Sequence, residues 1–462
     1  MSSRTESPAA RAAVAGAAVC VVVIAGTFIF REAREFFSDD VGERPRKGSA
    51  GRGGSLPHGA SALPPQGDPS AAADPAADPS HDPSAGSATR ASVGAGVLYL
   101  DGRHTPESFA EAVADPESFR YDPAKRTATC RKSLIIRGRL VLGEPDQPDK
   151  GQALEMDTRV CGDLNVRVET GAELLLYHST LTTSSKTVAG GQCPQGYTLA
   201  VRGRLVLDNS VLDYMSGSYS DLLLPGSRAE VHKSHITHGD GTCLKVVSPK
   251  ETRAAIEDST LGVMGGWAML VSGDADPARP LVVRGCTLKS QAGPVNNGTP
   301  AGRVELVDCR VSVVGERPRS YTMGFGGAGP DARTAVRWTI AVTAVRQGAD
   351  GSATPVPGLR IVAEPAEAAT RPAAAKLAGP PVSAVTDADG AARLVLTEWV
   401  AEPKHPRPDD SNRVGPYRIR AYAAAPSSDG KAAPDGKAAG AVLAEGTVQV
   451  RGLGERVRLV IP

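Results

Sequence analysis

The stretch Leu205-Val206-Leu207-Asp208-Asn209-Ser210-Val211-Leu212 decides the fold, because its pattern returns. Read as apolar–x–apolar–x–x–(Ser or Cys)–x–apolar, it occurs six times, at 174–181, 205–212, 229–236, 254–261, 281–288 and 304–311. The small residue falls at Ser179, Ser210, Ser234, Ser259, Cys286 and Cys309. Successive copies begin 31, 24, 25, 27 and 23 residues apart. That period marks a solenoid, in which each repeat buries its apolar side only by stacking on its neighbours. Inside each copy the alternation has period two, so the repeated unit is a strand and not a helix.

A second short strand precedes the phrase in most copies, at 134–136, 164–166, 199–201, 222–224 and 269–271. A glycine follows closely at Gly138, Gly171, Gly203, Gly226 and Gly273, where a sharp bend with positive φ costs little. One coil therefore reads strand, glycine turn, strand, x–x–(Ser or Cys), short strand, loop. The small residue falls at a corner, where it can hydrogen-bond backbone or stack on its neighbour. Ahead of the coils, 97–100 reads as a strand. A short helix then opens with Thr105 as N-cap and Pro106 at its first position and runs to about Ala114. Phe109, Ala112 and Val113 give it an apolar face, so it is expected to plug the open end of the solenoid.

From about 97 to 314 the chain resembles a right-handed parallel β-helix of the pectin-lyase type. The resemblance implies an architecture, and a fold does not dictate a reaction. After Val314 the phrase stops. Strand signals at 336–345, 358–362, 391–396, 417–422, 446–450 and 456–461, punctuated by turn residues, read as a β-sandwich. Within them, the run from Val385 through Thr386-Asp387-x-x-Gly390 to Leu396, followed by the strand Tyr417-x-Ile419-x-Ala421, resembles a carboxypeptidase-regulatory, transthyretin-like Ig domain. That resemblance implies a non-catalytic accessory module. The expected fold class is all-β, a right-handed parallel β-helix followed by a β-sandwich, with one N-terminal transmembrane helix. The expected parts are a tip and anchor (1–37), a linker (38–96), the β-helix (97–320) and the sandwich (330–462).

The anchor reading rests on 12–30, which is 19 residues without a charge. At 1.5 Å rise per residue that length can span a bilayer. Arg4 and Arg11 before it also fit a cleaved signal peptide, so secretion after cleavage is the alternative. From 38 to 96 the chain turns to Gly, Pro, Ala, Ser and Asp, with Asp-Pro at 68, 74, 78 and 82. Such a stretch cannot bury enough apolar area to offset its ordering entropy and reads as a spacer. A formal net charge of +1 over 462 residues gives no case for a nucleic-acid partner. The bulk of the chain is expected outside the cytoplasm, attached to the membrane by its N-terminal helix.

Six cysteines lie in the repeat region: Cys130, Cys161, Cys193, Cys243, Cys286 and Cys309. An even set in an exported chain suggests disulfides. Cys286 and Cys309 share one position of successive coils, and rungs about 4.8 Å apart fall within disulfide reach. That pair is expected, with Cys130 to Cys161 and Cys193 to Cys243 assigned by sequence order. Buried reduced cysteine is the alternative reading.

Outward positions of the phrase form lateral stripes. One carries Tyr177, Asp208, His232, Glu257 and Arg284. Two carboxylates flanking a histidine suit general acid–base work on a glycosidic bond, which makes Asp208, His232 and Glu257 the catalytic candidates. Arg284, His235, Trp267 and the loop tyrosines Tyr214 and Tyr219 are candidate binding residues. His232, His235 and His238 do not read as a metal site, because i and i+3 on a strand face opposite ways, and no cofactor is implied. The polygalacturonase and pectate-lyase companion motifs are absent, and aromatics make up only 4% of the chain, few for a sugar-cleaving groove. The favoured expectation is a cell-envelope binding or structural module with carbohydrate as a partner. A polysaccharide lyase or glycoside hydrolase using the lateral carboxylates is the rival, and a degenerate enzyme fold kept as a scaffold is a third possibility.

Overall fold

The computed structural model describes residues 90–94, 96–157, 164–183, 196–215, 222–238, 241–263, 265–314, 321–367, 372–423 and 441–462. The expected span at 12–30, the expected linker as far as 89, Cys161, Cys193 and Tyr219 lie outside them. The expected linker end at 96 is corrected, because Arg90–Gly94 is a strand that pairs antiparallel with Val97–Asp101 at the edge of the first solenoid sheet. Among the described residues no helix is long and apolar enough to cross a membrane.

The chain winds into a parallel β-solenoid of about six turns. Each full coil contributes one strand to each of three sheets. The coil around the opening phrase, for example, supplies Tyr197–Val201, Arg204–Asp208 and Val211–Met215. The copies stack in step: Leu174 lies opposite Leu205, Leu205 opposite Ala229, Ala229 opposite Ala254, and Leu281 opposite Val304. The next inward column, Leu176, Leu207, Val231, Ile256, Val283 and Leu306, is buried throughout. Each such side chain contributes roughly 1.5–3 kcal/mol.

The Ser/Cys column forms a continuous hydrogen-bond ladder. Ser179 N donates to Ser210 Oγ at 3.1 Å, Ser210 N to Ser234 Oγ at 3.0 Å, and Ser234 N to Ser259 Oγ at 3.0 Å. Ser259 N then approaches Cys286 Sγ at 3.4 Å. Each hydroxyl in turn donates to the carbonyl two residues back, as Ser234 does to His232 at 2.7 Å. The corner that sets up this ladder is a single left-handed residue. His178, Asn209, Lys233, Asp258, Gly285 and Asp308 all have φ between 46° and 60°. For a non-glycine residue that conformation costs roughly 1–2 kcal/mol, and here it recurs because the ladder and the amide bonds to the next rung satisfy the corner. Of the five turn glycines, Gly171, Gly226 and Gly273 adopt the expected positive φ, at 80°, 85° and 76°, and Gly138 and Gly203 do not. Gly203 is required because a Cβ there would lie 2.2 Å from Ala172 O.

The ladder also corrects the cysteine pairing. Cys286 and Cys309 occupy successive rungs as expected, yet they are separate buried thiols. Each sulfur takes the place of a ladder hydroxyl, Cys286 Sγ lying 3.0 Å from Arg284 O and Cys309 Sγ 3.4 Å from Val307 O. Side chains at equivalent positions of parallel strands point the same way rather than at each other, and a disulfide needs converging Cβ vectors. The adjacent Cys309 thiol holds Cys286 below the ordinary thiol value. The same contact, aided by burial, holds Cys309 above it. Cys130 is likewise a buried thiol, and burial pushes it up to about 12; its expected partner Cys161 lies outside the described residues. Cys243 is buried with its sulfur 3.2 Å from Ile236 O.

Both ends of the coil are covered. At the front, the helix Pro106–Val113 is capped by Thr105, whose hydroxyl accepts from Ser108 N, and it buries Phe109 and Val113. Phe109 packs edge-on against Phe119 and His104. At the back, the strand Arg333–Gln347 belongs to two structures at once. Residues 333–337 lie parallel to Arg303–Val307 as the last rung of the second solenoid sheet. The same strand pairs antiparallel with Ala391–Ala401 and parallel with Arg456–Ile461. A four-stranded antiparallel sheet follows, ordered Val382–Val385, Arg360–Pro365, Tyr417–Tyr422, Val442–Val448. Two polar clasps fix the junction. Asp308 accepts from Thr339 N at 2.7 Å and Thr339 Oγ1 at 2.6 Å. The buried Glu398 accepts from Trp338 Nε1 at 2.7 Å and faces Arg413 Nη1 at 3.3 Å.

Candidate functional site

The left-handed corner places its preceding residue on an outward ridge. Tyr177, Asp208, His232, Glu257 and Arg284 follow one another rung by rung, about 4.8 Å apart. His232 Nδ1 lies 3.6 Å from Glu257 Oε2, with the two side chains 39% and 44% exposed. On the corner column beside them, Asn209 Nδ2 is 2.8 Å from His178 Nδ1. His235 is exposed on the third sheet, between Val211 and Thr260.

The structure thus brings Asp208, His232, Glu257 and Arg284 together, with His235 just past the corner. Trp267 belongs elsewhere. It begins a strand of the first sheet, and its ring lies against Gly293 and Gly324, where a Cβ would meet it at 2.4 and 2.7 Å. Tyr214 lies on the strand Val211–Met215. The three histidines of 232–238 point three ways: His232 outward on the second sheet, His235 outward on the third, His238 buried. The corner at Lys233 resets the strand alternation, so a count of parity across it fails. Among the described residues no three His, Cys, Asp or Glu side chains are placed to hold a metal.

Chemically, Asp208 and Glu257 stand two rungs apart, about 9.6 Å by strand spacing. That approaches the separation of an inverting carboxylate pair, but His232 fills the interval where the attacking water would sit. The ridge is solvent-facing, whereas a general acid gains its proton affinity from an apolar wall. The void between Leu205, Leu212, Ala229, Ile236 and Leu244 lies inside the solenoid and is wholly apolar. The arrangement suits repeated polar contacts along a chain better than concerted proton transfer.

A second cluster escaped the sequence reading. His405 Nδ1 lies 3.3 Å from Asp409 Oδ2 and 3.1 Å from Ser411 Oγ. The residue types are those of a nucleophile triad, but a triad needs Ser and Asp on opposite ring nitrogens, and here both address Nδ1. The Ser411 hydroxyl also donates to Asp409. The cluster instead knots the 402–413 loop, whose Pro406 carbonyl accepts from Met323 N at 2.9 Å and so covers the edge of the first sheet. The Ser411 hydroxyl, the local amides and His405 hold the Asp409 carboxyl below the usual range. A carboxyl lowered in the folded state contributes stability above its unfolded value, about 3.9, and loses it as pH falls through the folded value. Hydrogen-exchange protection at Ser411 and Asn412 is therefore expected to fall on acidification below about pH 4, ahead of protection at Val231. Simultaneous loss at all three would contradict a local knot.

The left-handed corner was missed although two signals carried it: it stands one residue before every Ser or Cys, and five of its six residues, His178, Asn209, Asp258, Gly285 and Asp308, are of types that favour positive φ. Only Lys233 gives no such sign. No family model, curated protein or solved structure matches the chain.

Proposed function

We propose that the chain is an extracytoplasmic cell-envelope module, binding or structural, that lies along a carbohydrate chain and is tethered by a membrane helix at 12–30 through a spacer that begins at 38 and ends before Arg90. The supporting observation is the open ridge of Tyr177, Asp208, His232, Glu257 and Arg284, in register over five successive rungs. A convex polar stripe with a fixed rung repeat offers the same kind of contact many times, which suits a repetitive polymer. The solenoid is read as a right-handed, pectin-lyase-like β-helix. Residues 330–462 are read as a transthyretin-like, Ig-type accessory module, a reading supported by the turn at Thr386, whose hydroxyl accepts from Leu359 N and donates to Val356 O.

The close approach of His232 to Glu257 supports the second reading, a polysaccharide lyase or glycoside hydrolase. A glycan array probed with the full chain and with the triple variant Asp208→Ala/His232→Ala/Glu257→Ala separates the two. The binding reading expects selective glycan retention, weakened at least tenfold in the triple variant, with the bound glycans intact. Product release that stops in the triple variant would replace it with the enzymatic one. An array showing neither glycan retention nor product release would sink both.

A further inference from the structure

We infer that the outer face of the sheet formed by Ala391–Ala401, Arg333–Gln347 and Arg456–Ile461 is a docking surface for an acidic polysaccharide, held by Arg393, Arg456 and Arg458. Ala341 lies at the centre, opposite Arg393 on one side and Arg456 on the other. Thr343 lies opposite Ala391 and Arg458. The alternate residues Val342, Ala392, Leu394, Val457 and Leu459 are buried, so all three arginines point outward, and all three are exposed. By strand geometry Arg393 and Arg456 stand about 10 Å apart, and Arg458 is about 7 Å along the strand from Arg456. Between them the floor is flat and small: Ala341, Thr343 and Ala391.

Three neighbouring arginines without counter-charge are the telling feature. Many arginines on the other sheets have an acid beside them, although among the described residues no ion pair engages Arg103, Arg253 or Arg303 of the solenoid. Glu173 joins Arg139 and Arg204, Glu230 joins Arg204 and Arg228, and Glu305 holds Arg337. On the other C-terminal sheet Arg418 and Arg420 are matched by Glu445 and Glu364. Among the described residues no ion pair engages Arg393, Arg456 or Arg458. The adjacent Glu455 carboxylate is turned to Arg451 N at 2.7 Å. Like charges left together on a sheet are destabilising, and such a field attracts an anionic partner.

Guanidinium forks match the oxygens of carboxylates and of tetrahedral oxyanions such as phosphate two at a time, and a sulfate ester presents the same tetrahedral set. The face carries no aromatic ring on which a base would stack. Its apolar members, Val395 and Val460, are too short to enter a bilayer in the manner of an interfacial anchor. An acidic glycan chain fits what remains. The surface is separate from the solenoid ridge and stands whether or not that ridge binds sugar.

Retention of the full chain on immobilised dextran sulfate, titrated with salt, tests the assignment. The variant Arg393→Gln/Arg456→Gln/Arg458→Gln is expected to bind at least tenfold more weakly, with an unchanged melting midpoint. One control is expected to stay within twofold of the parent: Arg103→Gln/Arg253→Gln/Arg303→Gln, which removes three exposed solenoid arginines. Replacement of the three arginines by lysine is expected to restore part of the affinity. Equal weakening in both arginine triples would show only bulk charge and overturn the site. Undiminished binding in the first triple would do the same. So would intact dextran sulfate binding alongside lost binding to phosphatidylglycerol vesicles, which would hand the face to a membrane.

Discussion

Replacing Ser234 with alanine is expected to destabilise the protein by about 1–3 kcal/mol, the cost of a buried donor left without a partner. Ser234 is fully buried, and its Oγ is the acceptor for Ser210 N. Removing it strands that amide between two rungs, where no water reaches. Cysteine at the same place should cost less than about 1 kcal/mol, because Cys286 and Cys309 already occupy equivalent corners and Cys286 takes the Ser259 amide on its sulfur. By the same reasoning Cys286→Ser should be neutral or stabilising, since it restores the stronger acceptor used by the four rungs before it. Urea midpoints at constant slope report all three. If alanine at 234 were tolerated as well as cysteine, the corner column would be filling space and not bonding.

The contrast between that column and the ridge shows what could be read without coordinates. Leu205, Ala229 and Ala254 could be placed one above another because their phrases share a period-two frame, and a slip of one residue would turn every one of them to solvent. The same frame carries Asp208, His232 and Glu257 into one stripe, so their adjacency was legible too. What surrounds them was not. Whether a stripe has a wall depends on loops whose lengths vary between copies, and no local pattern encodes it. The strands Thr127–Cys130 and Ala153–Met156 were overlooked for a related reason. Between Leu142 and Ala153 a long excursion, containing the turn Pro148–Lys150, replaces the two-residue corner, and Gln152 stands where later coils carry serine. The ladder nevertheless reaches this coil, for Gln152 N donates to Ser179 Oγ at 3.0 Å. The cysteine pairing failed because rung spacing was used without side-chain direction. Distance permitted a bond that the parallel orientation of the two corners does not.

Proline in place of Val336 is expected to be the most damaging single change, with a cost of 3 kcal/mol or more by analogy with other regular elements. Val336 sits where two architectures share one backbone, opposite Leu306 of the last solenoid rung and opposite Trp399 of the antiparallel partner strand. A proline there removes a ladder donor from the middle of a sheet and disturbs both neighbours. It also sits beside Trp338, whose indole is tied to the buried Glu398, and near Asp308, which holds Thr339. The last coil would lose its cover, and an uncovered coil exposes apolar side chains such as Leu306 along with an unpaired edge. Because solenoid stability accumulates through nearest-neighbour interfaces, that damage should propagate inward from the back end. Thermal unfolding of the chain in a Trp267→Phe background, followed both by far-ultraviolet dichroism, dominated by the coils, and by fluorescence of the two remaining tryptophans, Trp338 and Trp399, should therefore show one shared midpoint, lowered together in the variant. Two separated transitions, with the coils melting at their original temperature, would mean that the strand Arg333–Gln347 joins the two parts without coupling them.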